Sequence, residues 1–322
     1  MASTFGAIPE TALSAPWRVQ GLRYHTYRFF LQQRFGRPVR KVSVDAGLTC
    51  PNVDGTVAHG GCVFCDNQSF SPSRRLPRQD ICSQINEGIR RLGRRYGCEH
   101  FLAYFQPATN TYAPVDRLRQ LYEQAVSHPQ IVGLTIGTRP DCAANEVLDL
   151  LEAFAARTYV SVEFGMQTMH DRSLDWMNRG HHHDAFLDAA ARSRGRGFDR
   201  GAHVILGLPG ESRADMLATA DELARLQLDS VKLHNLYVVR DTPLEDLVKR
   251  GEVRLLERDE YVGLVVDFIE RLPPALVVER IGGDAPPSYL VGPGWCLDKS
   301  GLQAALQAEF VRRDTWQGKR SP

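Results

Sequence analysis

Three cysteines close together in the chain are the residues best suited to chemistry. Cys50, Cys62 and Cys65 lie in the stretch CPNVDGTVAHGGCVFC, directly after the alternating apolar segment KVSVDAGLT. Iron–sulfur clusters are held by cysteine thiolates, usually four, so a cluster with three protein ligands leaves one iron open to a substrate or cofactor. Zinc is the alternative, because it prefers four tetrahedral Cys or His ligands and His59 could complete the set. The cysteines alone do not decide between the two.

The other cysteines stand singly. The chain has seven cysteines, an odd number that in a reducing compartment favours metal binding or catalysis over disulfides. We expect each of the remaining four to be a small buried apolar residue, so that no second cluster forms. These are Cys82, Cys98, Cys142 and Cys296.

Alternating strands and helices must position the cysteine loop. Short β-rich segments read VSVDAG, FLAYFQ, IVGLTIGT, YVSVEFGMQ, AHVILGL and SVKLHNLYVV. Between them, segments such as ICSQINEGIRRLGRRYG and SRADMLATADELARLQ carry apolar residues at helical spacing. Such alternation predicts right-handed βαβ crossovers and a mostly parallel sheet. In parallel α/β folds the loops after the carboxyl ends of strands build the site, and the cysteine loop follows the first strand.

The number of βα units sets the fold class. About six units are too few for a closed eight-unit barrel, so we predict an α/β fold, an open partial TIM barrel with a small C-terminal α+β extension. The predicted boundaries are an N-terminal extension over 1–36, the barrel over 37–243 and a C-terminal segment over 244–322 that caps the barrel.

Composition excludes some classes of protein. The 322 residues are 43% hydrophobic and 24% charged, which is ordinary for a globular chain. The longest apolar runs fall short of the roughly 20 residues that span a bilayer, and the N-terminus lacks the pattern of a signal peptide. We therefore expect a cytoplasmic protein without a membrane partner.

The charge distribution leaves a phosphate-rich partner open. A net charge of +1 argues against a chain that binds DNA or other nucleic acid through a uniformly basic surface. Arginines nevertheless gather in four places, where each cluster by itself is explained as a solvated face. The clusters are Arg74, Arg75 and Arg78; Arg90, Arg91, Arg94 and Arg95; Arg192, Arg194, Arg196 and Arg200; and Arg312, Arg313 and Arg320.

An ordered series of motifs resembles a known family. The strings DAGLTCPNVDG, GGCVFCDN, YFQPATNTYAP, TIGTRPDC, VEFGMQT, NRGH, HVILGLPGES, KLHNLYVVRDTPL and ERIGGDAP follow one another between about Tyr24 and Lys299. In this order they resemble the radical S-adenosylmethionine (SAM) enzymes, and among them the bacterial YhcC/YtqA-type proteins, which are similar to the catalytic subunit of Elongator. The family usually has Asn-Arg-Asp-Gly where this chain has Asn52-Val53-Asp54-Gly55, so Val53 replaces the arginine. The gap between Cys50 and Cys62 is wider than in the C-x3-C-x2-C motif of the wider superfamily, as is expected for the YhcC/YtqA-type proteins.

The resemblance implies cofactors and an activity. Cys50, Cys62 and Cys65 would hold a 4Fe-4S cluster whose open iron binds the amino and carboxylate groups of SAM. One electron from a flavodoxin- or ferredoxin-type donor would cleave the cofactor. The 5′-deoxyadenosyl radical would then abstract hydrogen from substrate, while the protein orients the reactants and excludes solvent.

The resemblance also implies cofactor-binding residues. Phe64 would pack beside the adenine, and Arg179 would pair with the cofactor carboxylate through its planar fork. The methionine amino group would be bound by residues that follow the second strand, namely Gln106, Asn110 and Thr111. Glu163 and Gln167 share one strand face and point into the barrel, where a buried carboxylate needs ribose hydroxyls or a basic partner. The full predicted set is Phe64, Gln106, Asn110, Thr111, Glu163, Gln167, Arg179, Gly207 and Glu211.

Four polar residues remain for the substrate. Lys232 and His234 alternate on the sixth strand, and Arg139 and Asp141 end the third. The run His181 to His183 invites a metal assignment, but adjacent residues do not share one helix face, so we expect a helix start there.

The resulting hypothesis is a radical SAM enzyme that modifies the wobble uridine of tRNA. RNA presents splayed-out bases to enzymes, which suits an open barrel mouth. A small metabolite or a peptide is the alternative substrate. Two hypotheses of other classes stay open, a non-catalytic iron–sulfur scaffold and a zinc-binding adaptor.

Overall fold

The computed structural model describes residues 15–71, 74 and 79–321. Seven parallel strands form one sheet in the order β1-β2-β3-β4-β5-β6-β8, and β7 and β9 form a separate antiparallel pair. The strands are β1 (Val39–Val44), β2 (His100–Phe105), β3 (Ile131–Thr138), β4 (Tyr159–Gln167), β5 (Asp199–Leu206), β6 (Ser230–Asn235), β7 (Val238–Val239), β8 (Val277–Ile281) and β9 (Leu290–Gly292). The predicted α/β open partial barrel is thereby confirmed.

Helices follow the strands as the apolar spacing predicts. They are α1 (Pro16–Val19), α2 (Tyr27–Phe35), α3 (Asn67–Phe70), α4 (Ile81–Tyr96), α5 (Val115–Val126), α6 (Asn145–Ala155), α7 (Asp171–Trp176), α8 (His183–Arg192), α9 (Arg213–Leu226), α10 (Pro243–Lys249), α11 (Arg258–Arg271) and α12 (Lys299–Arg312). Local signals set their ends. Asp80 accepts a hydrogen bond from the Ser83 amide at the start of α4, and Gly97 ends that helix in a left-handed conformation.

The strands separate an apolar outer face from a polar interior. On β2, Phe101, Ala103 and Phe105 pack in the core beneath the helices, whereas the Tyr104 hydroxyl reaches into the barrel. Because successive strand residues point to opposite faces, the same alternation recurs on neighbouring strands. It turns these polar side chains toward the interior: Lys41, Tyr104, Glu163, His203, Lys232 and His234.

The N-terminal segment closes one end of the barrel. Helix α2 contacts both edge strands, β1 and β8. Its Leu31 packs with Val39 and Leu102 near the amino ends of their strands, and Tyr159 packs against this group. The amino end of the barrel is therefore filled with apolar side chains, which leaves the carboxyl end as the open one.

The C-terminal segment contributes a strand to the sheet and side chains to the core, in addition to its predicted capping role. Its strand β8 pairs in parallel with β6 and extends the sheet beyond the six predicted units, while Leu306 and Phe310 of α12 join the main core. The predicted sixth strand is also shorter than its apolar pattern, because the chain leaves the sheet after Asn235. The domain boundaries stay predictions, and residues 1–14 of the first segment lie outside the described residues.

The four single cysteines differ in their exposure. Cys98 and Cys296 are buried as expected, and Cys142 is half-buried. Cys82 is exposed, so its predicted burial is wrong. On α4 the buried face is formed by Ile81 and Ile85, and Cys82 is rotated by about 100° from Ile81. In the part of the chain that is described, no helix has the length and apolar character needed to span a membrane.

Candidate active site

A cavity occupies the barrel interior near the carboxyl ends of the strands. Side chains from β2, β4, β5 and β6 line it, together with the cysteine loop and the segment after β3. Its polar and aromatic wall contains Tyr104, Gln106, Arg139, Glu163, Gln167, Arg179, His203, Lys232, His234, Tyr237 and Arg280.

The three cysteines of the motif meet at this cavity. Cys50, Cys62 and Cys65 all line it, with Cys62 buried and the other two half-buried. The loop turns tightly between them, and Gly60 and Gly61 both have φ of 78°, a left-handed conformation that favours glycine. Burial has the largest effect on the Cys65 thiol and raises its pKa, and the nearby Cys62 and Cys50 raise this pKa further. A bound cation reverses this tendency, because coordination deprotonates thiols.

The arrangement of the thiols fits a cluster better than a zinc ion. Among the described residues, no group of three or more His, Cys, Asp or Glu lies close enough to hold one metal ion. A zinc ion needs every sulfur about 2.3 Å away, whereas in a cluster each thiolate binds a different iron. His59, the possible fourth zinc ligand, is exposed and is not part of the cavity wall. The cavity wall can therefore hold a cluster through Cys50, Cys62 and Cys65.

Hydrogen bonds connect the NRGH segment (residues 178–181) to the cysteine loop. Asn52 Nδ2 donates to the carbonyls of Asn178 and Arg179, at 2.6 and 2.9 Å, and lies 3.6 Å from Cys62 Sγ. Asn178 Nδ2 donates back to the Gly61 carbonyl at 2.8 Å. These reciprocal hydrogen bonds fix the loop that carries the second and third cysteines.

Arg179 is also directed at a cysteine. Its Nη1 lies 3.6 Å from Cys62 Sγ, its Nη2 donates to the Gly165 carbonyl at 3.1 Å and its Nε donates to His181 at 3.1 Å. Two N–H donors, from Arg179 and Asn52, thus face one sulfur and stabilise negative charge on it. The predicted pairing of Arg179 with a cofactor carboxylate stays a prediction.

Removing the Asn52 amide should loosen this loop. In Asn52→Ala the half-buried Asn178 carbonyl and the buried Arg179 carbonyl each lose a side-chain donor, so we expect a loss of about 1–3 kcal/mol in the free energy of unfolding. Chemical denaturation of the metal-free protein measures it. Asp54→Ala, in the exposed part of the same loop, is the control; equal losses in the two variants would contradict the role of Asn52.

Glu163 is the centre of a polar network below the cavity. Its Oε1 accepts from Lys41 Nζ at 2.6 Å. Its Oε2 accepts from Lys232 Nζ at 2.5 Å, from the Tyr104 hydroxyl at 2.8 Å and from His203 Nε2 at 2.7 Å. Burial would raise the pKa of Glu163, but Lys232 and Lys41 outweigh burial and hold this pKa well below its usual range. The expectation that Glu163 faces inward and finds a basic partner is met.

Further groups complete the network. Lys41 Nζ also donates to Glu279 at 2.5 Å, which gives two buried ammonium groups and two carboxylates. Burial and the nearby Lys232 ammonium lower the pKa of His203, so its imidazole is neutral and donates Nε2–H to Glu163. The floor of the cavity is therefore ion-paired and fully hydrogen-bonded around Glu163, and it does not leave a free charge there.

His234 has a different environment from Lys232. Its ring centroid lies 5.4 Å from that of His203, and its Nε2 is buried without a hydrogen-bond partner among the described residues. Burial and then Arg280 lower the pKa of His234 well below its usual value, so the imidazole is neutral. A neutral ring nitrogen at the cavity is available to a ligand, whereas the Lys232 ammonium is already bound by Glu163.

Arg139 and Asp141, also assigned to substrate, bind each other. Arg139 Nε and Nη2 donate to the two Asp141 oxygens at 3.0 and 2.7 Å, and Nη1 donates to the Arg179 carbonyl at 2.7 Å. Arg139 lines the main cavity, whereas Asp141 lines a neighbouring surface pocket together with Thr111. The pair thus braces the segment after β3 against the NRGH segment.

The predicted cofactor residues divide into two groups. Phe64, Gln106, Glu163, Gln167 and Arg179 line the cavity. A bulge in β4 precedes Gln167, whose φ of 68° is left-handed, and the residue still reaches the cavity wall.

The other predicted cofactor residues lie behind the wall. Asn110 Nδ2 donates to three main-chain carbonyls, and Thr111 Oγ1 lies 2.5 Å from Thr138 Oγ1. Gly207 and Glu211 follow β5 outside the lining, and burial raises the pKa of Glu211. The cofactor-binding roles of both groups stay predictions.

The histidine run begins a helix, as predicted. His182 is the residue before α8 and His183 is its first residue. Their rings contact different carboxylates, Asp175 and Glu222 respectively, and His181 contacts Arg179. The three imidazoles therefore do not share a ligand.

Several cavity residues were missed from the sequence. Tyr104, His203, Tyr237 and Arg280 line the cavity, and Lys41 lies below it. The available signal was the strand alternation. Tyr104 in FLAYF and His203 in AHVIL each interrupt an apolar strand, and Lys41 and Ser43 alternate with valines in KVSV.

Family models match most of the chain. Residues 55–223 match the Radical SAM superfamily, and residues 228–312 match the Radical_SAM C-terminal domain. With the partial barrel and the cysteine-lined cavity, these matches show that the chain belongs to the radical SAM superfamily. The cofactors of that family are a 4Fe-4S cluster and SAM, and the chain is accordingly a radical SAM enzyme.

Within the superfamily, the chain belongs to the YhcC/YtqA-type group. It is 38% identical over 297 residues to YtqA of Bacillus subtilis, covering 92% of both chains. It is 37% identical over 267 residues to YhcC of Escherichia coli, covering 83% of this chain and 85% of that protein.

More distant similarities are to a tRNA uridine(34) acetyltransferase and to the solved structure of an archaeal Elp3. The tRNA uridine(34) acetyltransferase of Methanocaldococcus jannaschii is 29% identical over 164 residues, which cover 50% of this chain and 30% of that protein. The structure of an N-terminally truncated Elp3 from Methanocaldococcus infernus superposes with a TM-score of 0.67 at 18% identity, over 87% of this chain and 64% of that one. This structural similarity supports the fold.

Proposed function

We propose that this radical SAM enzyme modifies the wobble uridine of tRNA. The observation that carries the proposal is the cavity itself, where three cysteines, a neutral histidine with a free nitrogen and further polar groups meet at the open end of the barrel. An enzyme that acts on a nucleobase needs a pocket that receives a base out of its stack. The name of the distant M. jannaschii relative, which includes uridine 34 of tRNA, supports this choice of substrate.

Different residues would bind the cluster and SAM. Cys50, Cys62 and Cys65 would hold the cluster. Phe64, Gln106, Glu163, Gln167 and Arg179 would surround SAM, with Asn110, Thr111, Gly207 and Glu211 supporting the wall from behind. When bound, the two cofactors supply hydrogen-atom abstraction by a 5′-deoxyadenosyl radical. The apolar plug at the amino end and the closed Glu163 network would keep bulk water away from that chemistry.

The substrate would lie on the opposite side of the cavity from the cysteines. His234 Nε2, which has no partner among the described residues, would hydrogen-bond to the base, and Tyr237 and Arg280 offer an aromatic ring and a guanidinium plane for stacking. Lys232 would act on the substrate only indirectly, because Glu163 binds its ammonium group. Arg139 and Asp141 would position the wall in the same indirect way.

The proposal also includes a cellular setting. The enzyme would receive its electron from a flavodoxin- or ferredoxin-type protein and act in the cytoplasm, where tRNA is modified. Neither a membrane nor DNA has a part in it.

Mass spectrometry of tRNA nucleosides tests the proposal. We expect a strain that lacks the gene to lose one wobble-uridine modification and to accumulate its precursor. The wild-type gene should restore the profile, and a gene encoding Cys62→Ala should not. Identical wobble-uridine profiles in the deletion and parent strains would rule out the tRNA function and favour a small metabolite or a peptide as the substrate.

A further inference from the structure

Many of the arginines that cluster in the sequence form ion pairs in the structure. Arg192 pairs with Asp188, Arg196 with Asp149 and Glu152, and Arg200 with Asp229. The C-terminal cluster behaves alike, with Arg312, Arg313 and Arg320 bound to Glu309, Asp267 and Glu270. Arg74 pairs with Asp45, and Arg75 and Arg78 lie outside the described residues. The clusters at 192–200 and 312–320 are therefore largely balanced by carboxylates, with Arg194 hydrogen-bonded to the Leu226 carbonyl instead.

The cluster on α4 is different. Arg90, Arg91, Arg94 and Arg95 are all exposed, and none of them forms an ion pair with any residue that the structure describes. At 100° per residue, these positions cover about 140° of the helix surface. Like charges one turn apart, such as Arg90 and Arg94, destabilise a helix, although Arg94 and Arg95 in the last turn also interact favourably with the helix dipole.

Strand β1 extends this charged surface. The Arg40 guanidinium lies 4.5 Å from the centre of the Tyr96 ring, and that of Arg95 lies 5.2 Å from it. Tyr96 is 45% exposed although it is a large aromatic residue. Two guanidinium groups thus flank one ring that is open to solvent. We call Arg40, Arg90, Arg91, Arg94, Arg95 and Tyr96 the arginine surface.

The arginine surface lies away from the cavity. Helix α4 has 16 residues, so it is about 24 Å long, and its last turn leads into the amino end of β2. The charged turns therefore lie on the outside of the barrel, toward the end opposite the cavity mouth. A small molecule in the cavity cannot reach them, but a folded macromolecule that inserts one base into the cavity can extend along the barrel to this surface.

We propose that the arginine surface binds the phosphate backbone of the tRNA substrate. This inference rests on the proposed function. Guanidinium groups bind phosphates through paired N–H donors, and phosphate contacts position an RNA without reading its sequence. A membrane surface is the less suitable partner, because Tyr96 is the one large hydrophobic residue exposed on α4 among the described residues.

Binding of an unmodified tRNA transcript to the full-length holoprotein, measured by fluorescence anisotropy at several salt concentrations, tests the inference. The test variant is Arg91→Gln/Arg94→Gln/Arg95→Gln, whose positions are exposed and make no ion pair within the described part of the chain. We expect a drop in affinity of about 10- to 100-fold at low salt and a decrease of about 2–3 in the salt slope. The control Arg225→Gln/Arg250→Gln/Arg254→Gln removes equal charge from exposed arginines that are ion-paired, and it should bind as the wild type does.

The outcomes separate the surface from the proposed function. Unchanged tRNA binding in the test variant, equal losses in test and control, or a wild-type protein that binds anionic lipid vesicles but no tRNA would each overturn the inference. If deletion of the gene alters wobble uridines while the test variant binds normally, the surface is wrong and the function stands. If the test variant alone loses tRNA binding and wobble uridines are unchanged in the deletion strain, the surface stands and the function is wrong.

Discussion

Replacing Cys62 by alanine is expected to abolish the cluster. Cys62 is the buried member of the three cysteines, and N–H groups of both Asn52 and Arg179 face its sulfur. Loss of a residue that only hydrogen-bonds to a metal ligand typically lowers metal affinity or activity 10- to 100-fold. Removal of a ligand itself should therefore lower 5′-deoxyadenosine formation by about 100-fold or more. After anaerobic reconstitution, iron content, visible absorbance and chromatography of the reaction with dithionite and SAM measure the effect.

Two matched variants make this result specific. Cys82→Ala removes an exposed cysteine on α4 that does not line the cavity, and should keep iron and activity. His59→Ala should also keep both, whereas a Cys3His zinc site would lose its metal. A wild-type protein that binds zinc and no iron would contradict the cluster assignment. A reducible cluster that yields no 5′-deoxyadenosine would favour a non-catalytic scaffold.

Glu163→Gln should be one of the most destabilising single substitutions in the barrel. The glutamine has nearly the same volume but carries no charge, so Lys41 and Lys232 lose the carboxylate that both ammonium groups bind, and Glu279 alone remains. Removing one partner of a buried ion pair costs about 3–5 kcal/mol, because the other charge stays buried and uncompensated. Urea denaturation of the metal-free protein should show this loss in the free energy of unfolding.

An exposed ion pair provides the comparison. Glu123 pairs with Arg157, and side-chain exposures of 44% and 50% leave both groups largely in solvent. Glu123→Gln should therefore cost no more than about 1 kcal/mol. Adding Lys232→Met to Glu163→Gln should recover part of the stability, since it removes one of the stranded charges. Similar losses for Glu163→Gln and Glu123→Gln would show that the interior network is solvated rather than buried.

Local patterns in the sequence were sufficient for the class of protein. The three cysteines with their glycine-rich loop, together with motifs on successive strand ends, are short-range features that a linear reading captures. Alternation along strands showed that Glu163 and Lys232 face the same side of the sheet as the cavity, because side-chain direction has a period of two whatever the partners are. The same reading placed a helix start at His182 and His183.

Only the tertiary structure decided which of these side chains meet. Periodicity gives the face on which a residue lies but not the distant residue that it contacts. Lys41 and Glu163 are 122 residues apart, and Arg179 reaches Cys62 across 117 residues. The pairing of β8 with β6 and the ion pairs of Arg196 and Arg313 likewise depend on remote parts of the chain. The sequence predicted the chemistry of the cysteines because all three lie in one short segment. It did not predict which arginines are ion-paired, because carboxylates such as Asp149 lie far along the chain from the arginines that they bind.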